Sequence, residues 1–204
     1  MKKLLLALVI LGYSQSEAQV KFRGGVKAGY AASTINNLDA DYRNGLYAGV
    51  YGDLNLSRIY SMQFEMLYLQ QGVSDLHVYQ GNNLAPQIMD VNRNYLSLNL
   101  LNKFSFNKIS MFVGPGLDIK ISDNSNSLRN YRDSQDYYSL PYENNSDVDL
   151  TINIGVAFKI NNNLSIEARL RQGIIEQIYT NSTYYYGDSN LSKSFLIGLN
   201  YTFD

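Results

Sequence analysis

Several common features are absent from this sequence of 204 residues. It has no cysteine, so neither a disulfide bond nor a lipid-modified cysteine is available to it. Beyond the first residues, no apolar run approaches the about 18 residues that a transmembrane helix needs. The formal net charge is −1, so the chain lacks the basic excess typical of nucleic-acid-binding proteins. These absences exclude a disulfide-rich domain, a helical membrane protein and a nucleic-acid-binding protein.

The abundant residues favour β-structure. Tyrosine occurs 18 times, whereas tryptophan is absent and proline occurs three times. Aromatic residues favour strands and proline disrupts them, so this composition is typical of an all-β protein. A chain of 204 residues suits one barrel or sandwich rather than several domains.

The first residues, MKKLLLALVILGYSQSEAQ, have the order of a secretory signal peptide. Two lysines precede the apolar stretch from Leu4 to Leu11, and Ser16-Glu17-Ala18 has the small-x-small pattern of a cleavage site. We therefore expect residues 1–18 to be a signal peptide and residues 19–204 to form an exported domain.

Alternation of apolar and polar residues runs through the rest of the chain. The stretch VDLTINIGVAFKI, from Val148 to Ile160, has seven apolar residues alternating with polar or small ones. Successive side chains of a strand point to opposite faces, so this stretch predicts a strand with one apolar and one polar face. Seven similar runs occupy residues 22–30, 46–56, 60–69, 95–104, 109–120, 164–174 and 194–203. Each has about the ten residues that a tilted strand needs to cross a bilayer.

The connections between these runs alternate in length. Short turns are predicted at 57–59, 105–108 and 161–163, and long polar loops at 31–43, 72–92, 122–147 and 179–193. Short turns at one rim and long loops at the other are typical of outer-membrane barrels. The pattern predicts an eight-stranded antiparallel up-and-down transmembrane β-barrel, with the short turns and both termini in the periplasm.

The composition of the two faces indicates which one points inward. Glycine lies mainly on the polar face, where a crowded lumen favours small residues. The apolar face ends in aromatic residues at the short-turn rim, as a membrane-interface girdle does. These aromatic residues are Phe22, Tyr60, Phe104, Phe158, Tyr201 and Phe203. We therefore expect the apolar face to meet lipid, so that Ile154→Arg impairs assembly far more than Asn153→Arg.

Charged residues on the polar face predict an ion-paired lumen. An eight-stranded barrel has an interior only wide enough for side chains to fill it, which favours a packed lumen over a selective pore. The predicted network consists of Asp53, Glu65, Glu167, Arg169 and Arg171. Strand three lies across the barrel from strand seven, so we expect Glu65 to pair with Arg169 or Arg171.

The hairpin at Asn162 predicts how small and long side chains share the lumen. If paired residue numbers sum to about 324, Gly155 lies opposite Arg169 and Ala157 opposite Glu167. The small residues would then make room for the charged ones.

Four segments carry a resemblance to a known family. They are KFRGGVKAGYAAS, GLYAGVYGDLNL, MFVGPGLDIKI and SFLIGLNYTF. Together with the signal peptide they resemble the outer-membrane β-barrel domain of Bacteroidota, usually described as porin-like or PorT-like. The resemblance covers nearly all of the mature chain and implies an outer-membrane location.

The C-terminal strand also resembles the signal read by the barrel-assembly machinery, through Gly198, Tyr201 and Phe203. It departs from that signal in two ways: Asp204 follows the aromatic residue, and Leu196 stands where a polar residue is common.

The predicted function is non-enzymatic: a membrane-embedded barrel that presents four extracellular loops for surface interaction or envelope structure. Tyrosines inside the third and fourth loops are the recognition candidates, because tyrosine gives large contact area at low conformational cost. They are Tyr137, Tyr138, Tyr142, Tyr184, Tyr185 and Tyr186. The alternative for them is an aromatic belt at the outer membrane interface, where tyrosine is also enriched. The expected partners are outer-membrane lipids, the barrel-assembly machinery and an unknown surface or secretion-system protein.

Two alternatives remain open. The first is a narrow porin-like channel or a component of a PorT-like secretion machinery. The second is a lipid hydrolase at the outer rim using His77, which is predicted to lie in the second long loop. Ser74, Asp75 and His77 are too close in sequence to form a triad readily, so a catalytic role is not favoured. The third loop is rich in oxygen donors but lacks a calcium-loop pattern, so no cofactor or metal is expected.

Overall fold

The computed structural model describes residues 21–78, 87–123, 142–143, 147–176, 178–179 and 190–203. The predicted signal peptide, residues 1–18, lies outside these ranges. Within them the chain forms β1 (Lys21–Ile35), β2 (Asp41–Asn55), β3 (Tyr60–Val78), β4 (Gln87–Phe106), β5 (Ile109–Asp123), β6 (Tyr142–Glu143), β7 (Val148–Lys159), β8 (Leu164–Glu176), β9 (Ile178–Tyr179) and β10 (Leu191–Thr202). No helix in the described part of the chain is long and apolar enough to cross a membrane.

Eight of the strands close into an antiparallel barrel, as predicted. Their order around the barrel is β1-β10-β8-β7-β5-β4-β3-β2. β1 and β10 close the ring, with pairing from Gly25–Thr202 to Ile35–Ser192. Closure gives each strand a neighbour on both sides, which is how backbone groups of a sheet are satisfied in lipid. The two remaining strands, β6 and β9, form a separate two-stranded sheet.

The apolar faces of the strands point away from the barrel axis. On β7, Ile154 is 57% exposed, whereas its neighbour Asn153 is 0% exposed. The same alternation of exposed apolar and buried polar residues recurs on β8 and β10. Transferring such an apolar band into lipid is favourable and leaving it in water is not. The prediction that the apolar face meets lipid therefore agrees with the observed burial.

The two ends of the barrel differ. The short-turn rim is the end that carries the connections 56–59, 107–108 and 160–163, and the long-loop rim is the opposite end. The predicted aromatic girdle lies at the short-turn rim: the Tyr60 and Phe104 rings are 5.2 Å apart between centroids, and those of Tyr201 and Phe203 are 6.0 Å apart. Phe22 and Phe158 are exposed at the same end.

The first two long loops are shorter than predicted. β1 and β2 are joined by residues 36–40 instead of 31–43, and β3 and β4 continue to Val78 and from Gln87. A bulge interrupts the pairing of β3 with β4 between Val73 and Leu76, where Asp75 has a φ of 50°. A bulge inserts one extra residue, so the alternation changes parity there and the sequence period no longer reveals the strand. The prediction that His77 lies in a loop is wrong, because His77 lies in β3.

Candidate functional site

A cluster of four charged side chains fills the middle of the lumen. Lys27 comes from β1, Glu65 from β3, and Glu167 and Arg169 from β8. All four are buried, with at most 4% of any residue exposed. Each lies on the inward face of its strand because it occupies the polar side of the alternating pattern.

The predicted pair of Glu65 with Arg169 is present. Arg169 Nη1 donates to Glu65 Oε2 at 2.7 Å, and Nη2 donates to Oε1 at 2.8 Å. Lys27 Nζ donates to Glu65 Oε1 at 2.6 Å and to Glu167 Oε2 at 2.8 Å. A guanidinium and a carboxylate in this two-point geometry form one of the stronger protein hydrogen-bond pairs.

The cluster is balanced in charge, with two carboxylates and two cations. Glu167 Oε1 also lies 2.7 Å from Arg169 Nη2 but accepts no aligned hydrogen bond, so this contact is an ion pair only. Burying an isolated charge is costly, and pairing with additional hydrogen bonds offsets that cost. The balance explains how four charges are tolerated at the centre of the barrel.

The predicted register of the β7–β8 hairpin is confirmed. Gly155 lies opposite Arg169, and Ala157 lies opposite Glu167. A Cβ atom at Gly155 would be 2.4 Å from the Phe112 ring, over which the Arg169 guanidinium lies at 4.9 Å from the centroid. Gly155 therefore makes room for the ring that supports Arg169.

Arg171 belongs to a second buried cluster nearer the long-loop rim. Its Nη2 donates to Asp118 Oδ1 at 2.7 Å and to Ser97 Oγ at 2.9 Å. Its Nε donates to Asn153 Oδ1 at 2.9 Å. Asn153 is thus a packed member of the network, and Asp118, rather than Glu65, is the carboxylate that pairs with Arg171.

Asp53 pairs with Lys103 at the end of the lumen nearer the short-turn rim. Lys103 Nζ donates to Asp53 Oδ2 at 3.0 Å and to Gln63 Oε1 at 2.9 Å. Gln63 Nε2 in turn donates to Glu65 Oε1. Gln63 therefore links this pair to the central cluster.

Apolar side chains pack inside the barrel on both sides of the central charges, which sequence reasoning missed. Toward the long-loop rim lie Ala31, Tyr47, Leu67, Leu69 and Leu196, and beyond them Ile35, Val73, Leu76 and Val91. Toward the short-turn rim lie Leu101, Phe112 and Ala157. The available signal was leucine on the polar face, at positions that break the alternation.

The contacts described for the residues considered for hydrolase chemistry are with partners outside the predicted Ser74, Asp75 and His77 group. The carboxylate beside His77 belongs to Asp39, with Nδ1 and Oδ2 3.6 Å apart. Asp75 instead donates its backbone N–H to Asp90 Oδ1 at 3.0 Å, and Ser74 pairs with Asp41 in the sheet. Within the described ranges, no group of three or more acidic or histidine side chains is placed to hold a metal ion.

Most of the recognition candidates lie outside the described residues. These are Tyr137, Tyr138, Tyr184, Tyr185 and Tyr186. Tyr142 is described in backbone only: it belongs to β6 and pairs with Tyr179 of β9. The third and fourth loops are therefore joined by strand pairing, which the sequence did not predict.

The residues of the predicted assembly signal lie on β10. Gly198 pairs with Gly29 of β1, and a Cβ atom there would be 2.5 Å from the Ala28 carbonyl oxygen. Tyr201 and Phe203 are exposed on the outer face at the short-turn rim. Their placement is that of lipid-facing residues, and their part in assembly stays a prediction.

Comparison with known proteins places this barrel in a family. A family model described as "Outer membrane protein beta-barrel domain" matches residues 13–179. No curated protein matches the sequence. Among solved structures, the outer membrane protein OprG from Pseudomonas aeruginosa is 15% identical with a TM-score of 0.51, covering 90% of this chain and 97% of OprG.

Two other solved barrels are similar. Ail, the attachment invasion locus protein of Yersinia pestis, is 14% identical with a TM-score of 0.49, covering 90% of this chain and 99% of Ail. Neisserial surface protein A is 14% identical with a TM-score of 0.48, covering 89% of this chain and 97% of that protein. The likeness to OprG shows the fold, and the family match supports an outer-membrane location. The chain belongs to the outer membrane protein beta-barrel domain family.

Proposed function

We propose that this protein is a non-enzymatic outer-membrane barrel with a sealed lumen, which presents its long-loop rim for surface interaction or envelope structure. In this proposal the short-turn rim lies in the periplasm and the loops lie outside the cell. A cleavable signal peptide, residues 1–18, exports the chain, and the barrel-assembly machinery reads Gly198, Tyr201 and Phe203.

The observation that carries this proposal is the packing of charged and apolar side chains inside the barrel. The hydrogen-bonded pair of Arg169 with Glu65 spans the barrel from β8 to β3. Apolar layers flank it on both sides. Because the wall faces lipid and the interior is packed, the rims are the surfaces left for recognition.

The composition of the loops supports recognition at the long-loop rim. Tyr137, Tyr138, Tyr184, Tyr185 and Tyr186 occur among serine and asparagine residues, which is the chemistry that recognition loops favour. Pairing of β6 with β9 supports a joint surface of the third and fourth loops. The resemblance to PorT-like barrels of Bacteroidota extends the proposal to a secretion machinery. In such a machinery the long-loop rim of this barrel would bind another component, and the lumen would not transport the secreted protein.

Photo-crosslinking in living cells tests the proposal. A benzophenone amino acid is placed at position 137 or 185 in the loops and, as the matched control, at Ile154 on the lipid-facing wall. We expect protein adducts from the loop positions and none from position 154, because the wall contacts only lipid.

The opposite outcome identifies a channel. A barrel that gives no protein adduct from either loop, and that conducts ions steadily in planar bilayers, contradicts the proposal. A larger porin reconstituted in the same bilayer serves as the positive control for conductance.

A further inference from the structure

The short-turn rim carries an unusual excess of positive charge. Among its described residues there are six basic side chains and one acidic side chain, Asp53. The basic residues are Lys21, Arg23, Arg58, Lys103, Lys108 and Lys159. The chain as a whole has a formal net charge of −1, so this excess is local to one end of the barrel.

The acidic residue does not neutralise the rim. Asp53 is paired with Lys103, whose Nζ lies 3.0 Å from Oδ2. Within the described ranges, the other five cations form no ion pair. Cations placed together repel one another, and an anionic partner bound among them would relieve that repulsion.

Four of these cations line a blind cavity. A vestibule of about 290 Å³ opens at the short-turn rim and is lined by Arg23, Arg58, Lys103 and Lys159, with Asp53 as its single acid. Its floor is the apolar layer that contains Ala157, which also lines the cavity. Asparagine and serine side chains complete the wall and supply further hydrogen-bond donors. The lining therefore has a formal charge of +3 and many donors.

A second cleft adjoins the vestibule on the outer side of the barrel. It has a volume of about 690 Å³ and shares Arg23 and Lys159 with the vestibule. Its remaining lining includes Lys21 and the exposed aromatic residues Phe22 and Phe203. Arg23 and Lys159 thus lie between the vestibule and the exposed aromatic side chains of the second cleft.

We propose that Arg23 and Lys159 form an anion-binding site for a phosphate group at the short-turn rim. A guanidinium binds phosphate oxygens in a two-point geometry and an ammonium adds a compact charge. A phosphate monoester brings up to two negative charges, which suits a lining of +3 better than a single carboxylate does, whereas the phosphodiester of a lipid brings one. The phosphate belongs either to a soluble phosphate compound in the vestibule or to an anionic lipid whose glycerol region contacts Phe22 and Phe203.

The test uses the full barrel in lipid nanodiscs. In nanodiscs of phosphatidylcholine alone, pyrophosphate is titrated and binding is followed by calorimetry and by NMR shifts. In nanodiscs that contain phosphatidylglycerol, native mass spectrometry counts the anionic lipids retained on the barrel. The variant Arg23→Gln/Lys159→Gln removes two cavity charges. The single variants Arg23→Gln and Lys159→Gln have Lys108→Gln as their matched control, which removes one charge from the same rim outside the linings of both the vestibule and the second cleft.

We expect saturable binding in at least one arm. The affinity should fall about tenfold or more in the Arg23→Gln/Lys159→Gln variant and by less than about twofold in Lys108→Gln. Pyrophosphate binding assigns the site to a soluble phosphate compound, and selective lipid retention assigns it to a lipid headgroup. All of these variants are expected to keep the heat-modifiable gel mobility of the folded barrel. The proposal is overturned if neither arm shows binding, or if Lys108→Gln weakens binding as much as Arg23→Gln or Lys159→Gln does, since rim charge alone would then account for it.

Discussion

Replacing Glu65 by glutamine is expected to cost about 3–5 kcal/mol of unfolding free energy, because it leaves two buried cations sharing one remaining carboxylate. Arg169 and Lys27 both hydrogen-bond to Glu65, and both are almost fully buried. Glu167 then has to balance two positive charges at the centre of the barrel. The measurement is reversible urea unfolding from lipid vesicles, followed by tyrosine fluorescence and gel mobility.

A compensating substitution separates charge balance from lost contacts. Lys27→Gln combined with Glu65→Gln restores neutrality, since Arg169 and Glu167 remain as a pair 2.7 Å apart. We expect the double variant to recover at least half of the loss, because contacting residues of one network are strongly non-additive. Additive losses in the double variant would show that the cluster does not act as one balanced unit.

Replacing Ile154 by arginine is expected to destabilise the inserted barrel by about 2–4 kcal/mol, the cost of a lipid-facing cation near the bilayer midplane. Ile154 is 57% exposed on the outer face of β7. The measurements are the fraction of the variant that inserts into lipid vesicles and the free energy of unfolding of the inserted barrel.

Ile154→Phe is the matched control, because an exposed apolar position accepts a larger apolar side chain without overpacking. If phenylalanine is as damaging as arginine, residue 154 packs against protein instead of lipid. Asn153→Arg is a poorer comparison than expected from the sequence. Asn153 is 0% exposed and holds Arg171 through its amide, so a second guanidinium there would also disrupt the fold.

The period-two pattern was sufficient to predict the barrel and the faces of its strands, because lipid outside and packed polar groups inside impose opposite chemistry on alternate residues. It also predicted that Glu65 pairs with Arg169 or Arg171, since strand order fixes which strands lie across the barrel, and the pair that forms is with Arg169. The pattern did not predict how far the strands extend toward the long-loop rim. There β3 and β4 continue with a bulge at Asp75, and alternation is lost although pairing persists.

Other features depend on side chains meeting in three dimensions. Leu67 and Leu196 lie on the polar face in sequence, and only the closed barrel shows that they pack in one apolar cluster. The strand pair Tyr142–Tyr179 joins segments that are distant along the chain. Arg23 and Lys159 are 136 residues apart in the sequence (159 − 23), so their shared cavity is not visible in either segment.

Methyl NMR of the unmodified barrel in nanodiscs tests most directly whether the apolar face meets lipid and the lumen is sealed. A lipid-soluble spin label and a water-soluble gadolinium chelate are added in separate samples. We expect the lipid label to broaden the methyl signals of Ile152 and Ile154, since both residues are exposed on the wall. We expect neither agent to broaden the methyl signals of Leu67 and Leu196, each 0% exposed. Broadening of the Leu67 and Leu196 signals by the aqueous chelate would show a water-filled lumen and contradict the proposed sealed lumen.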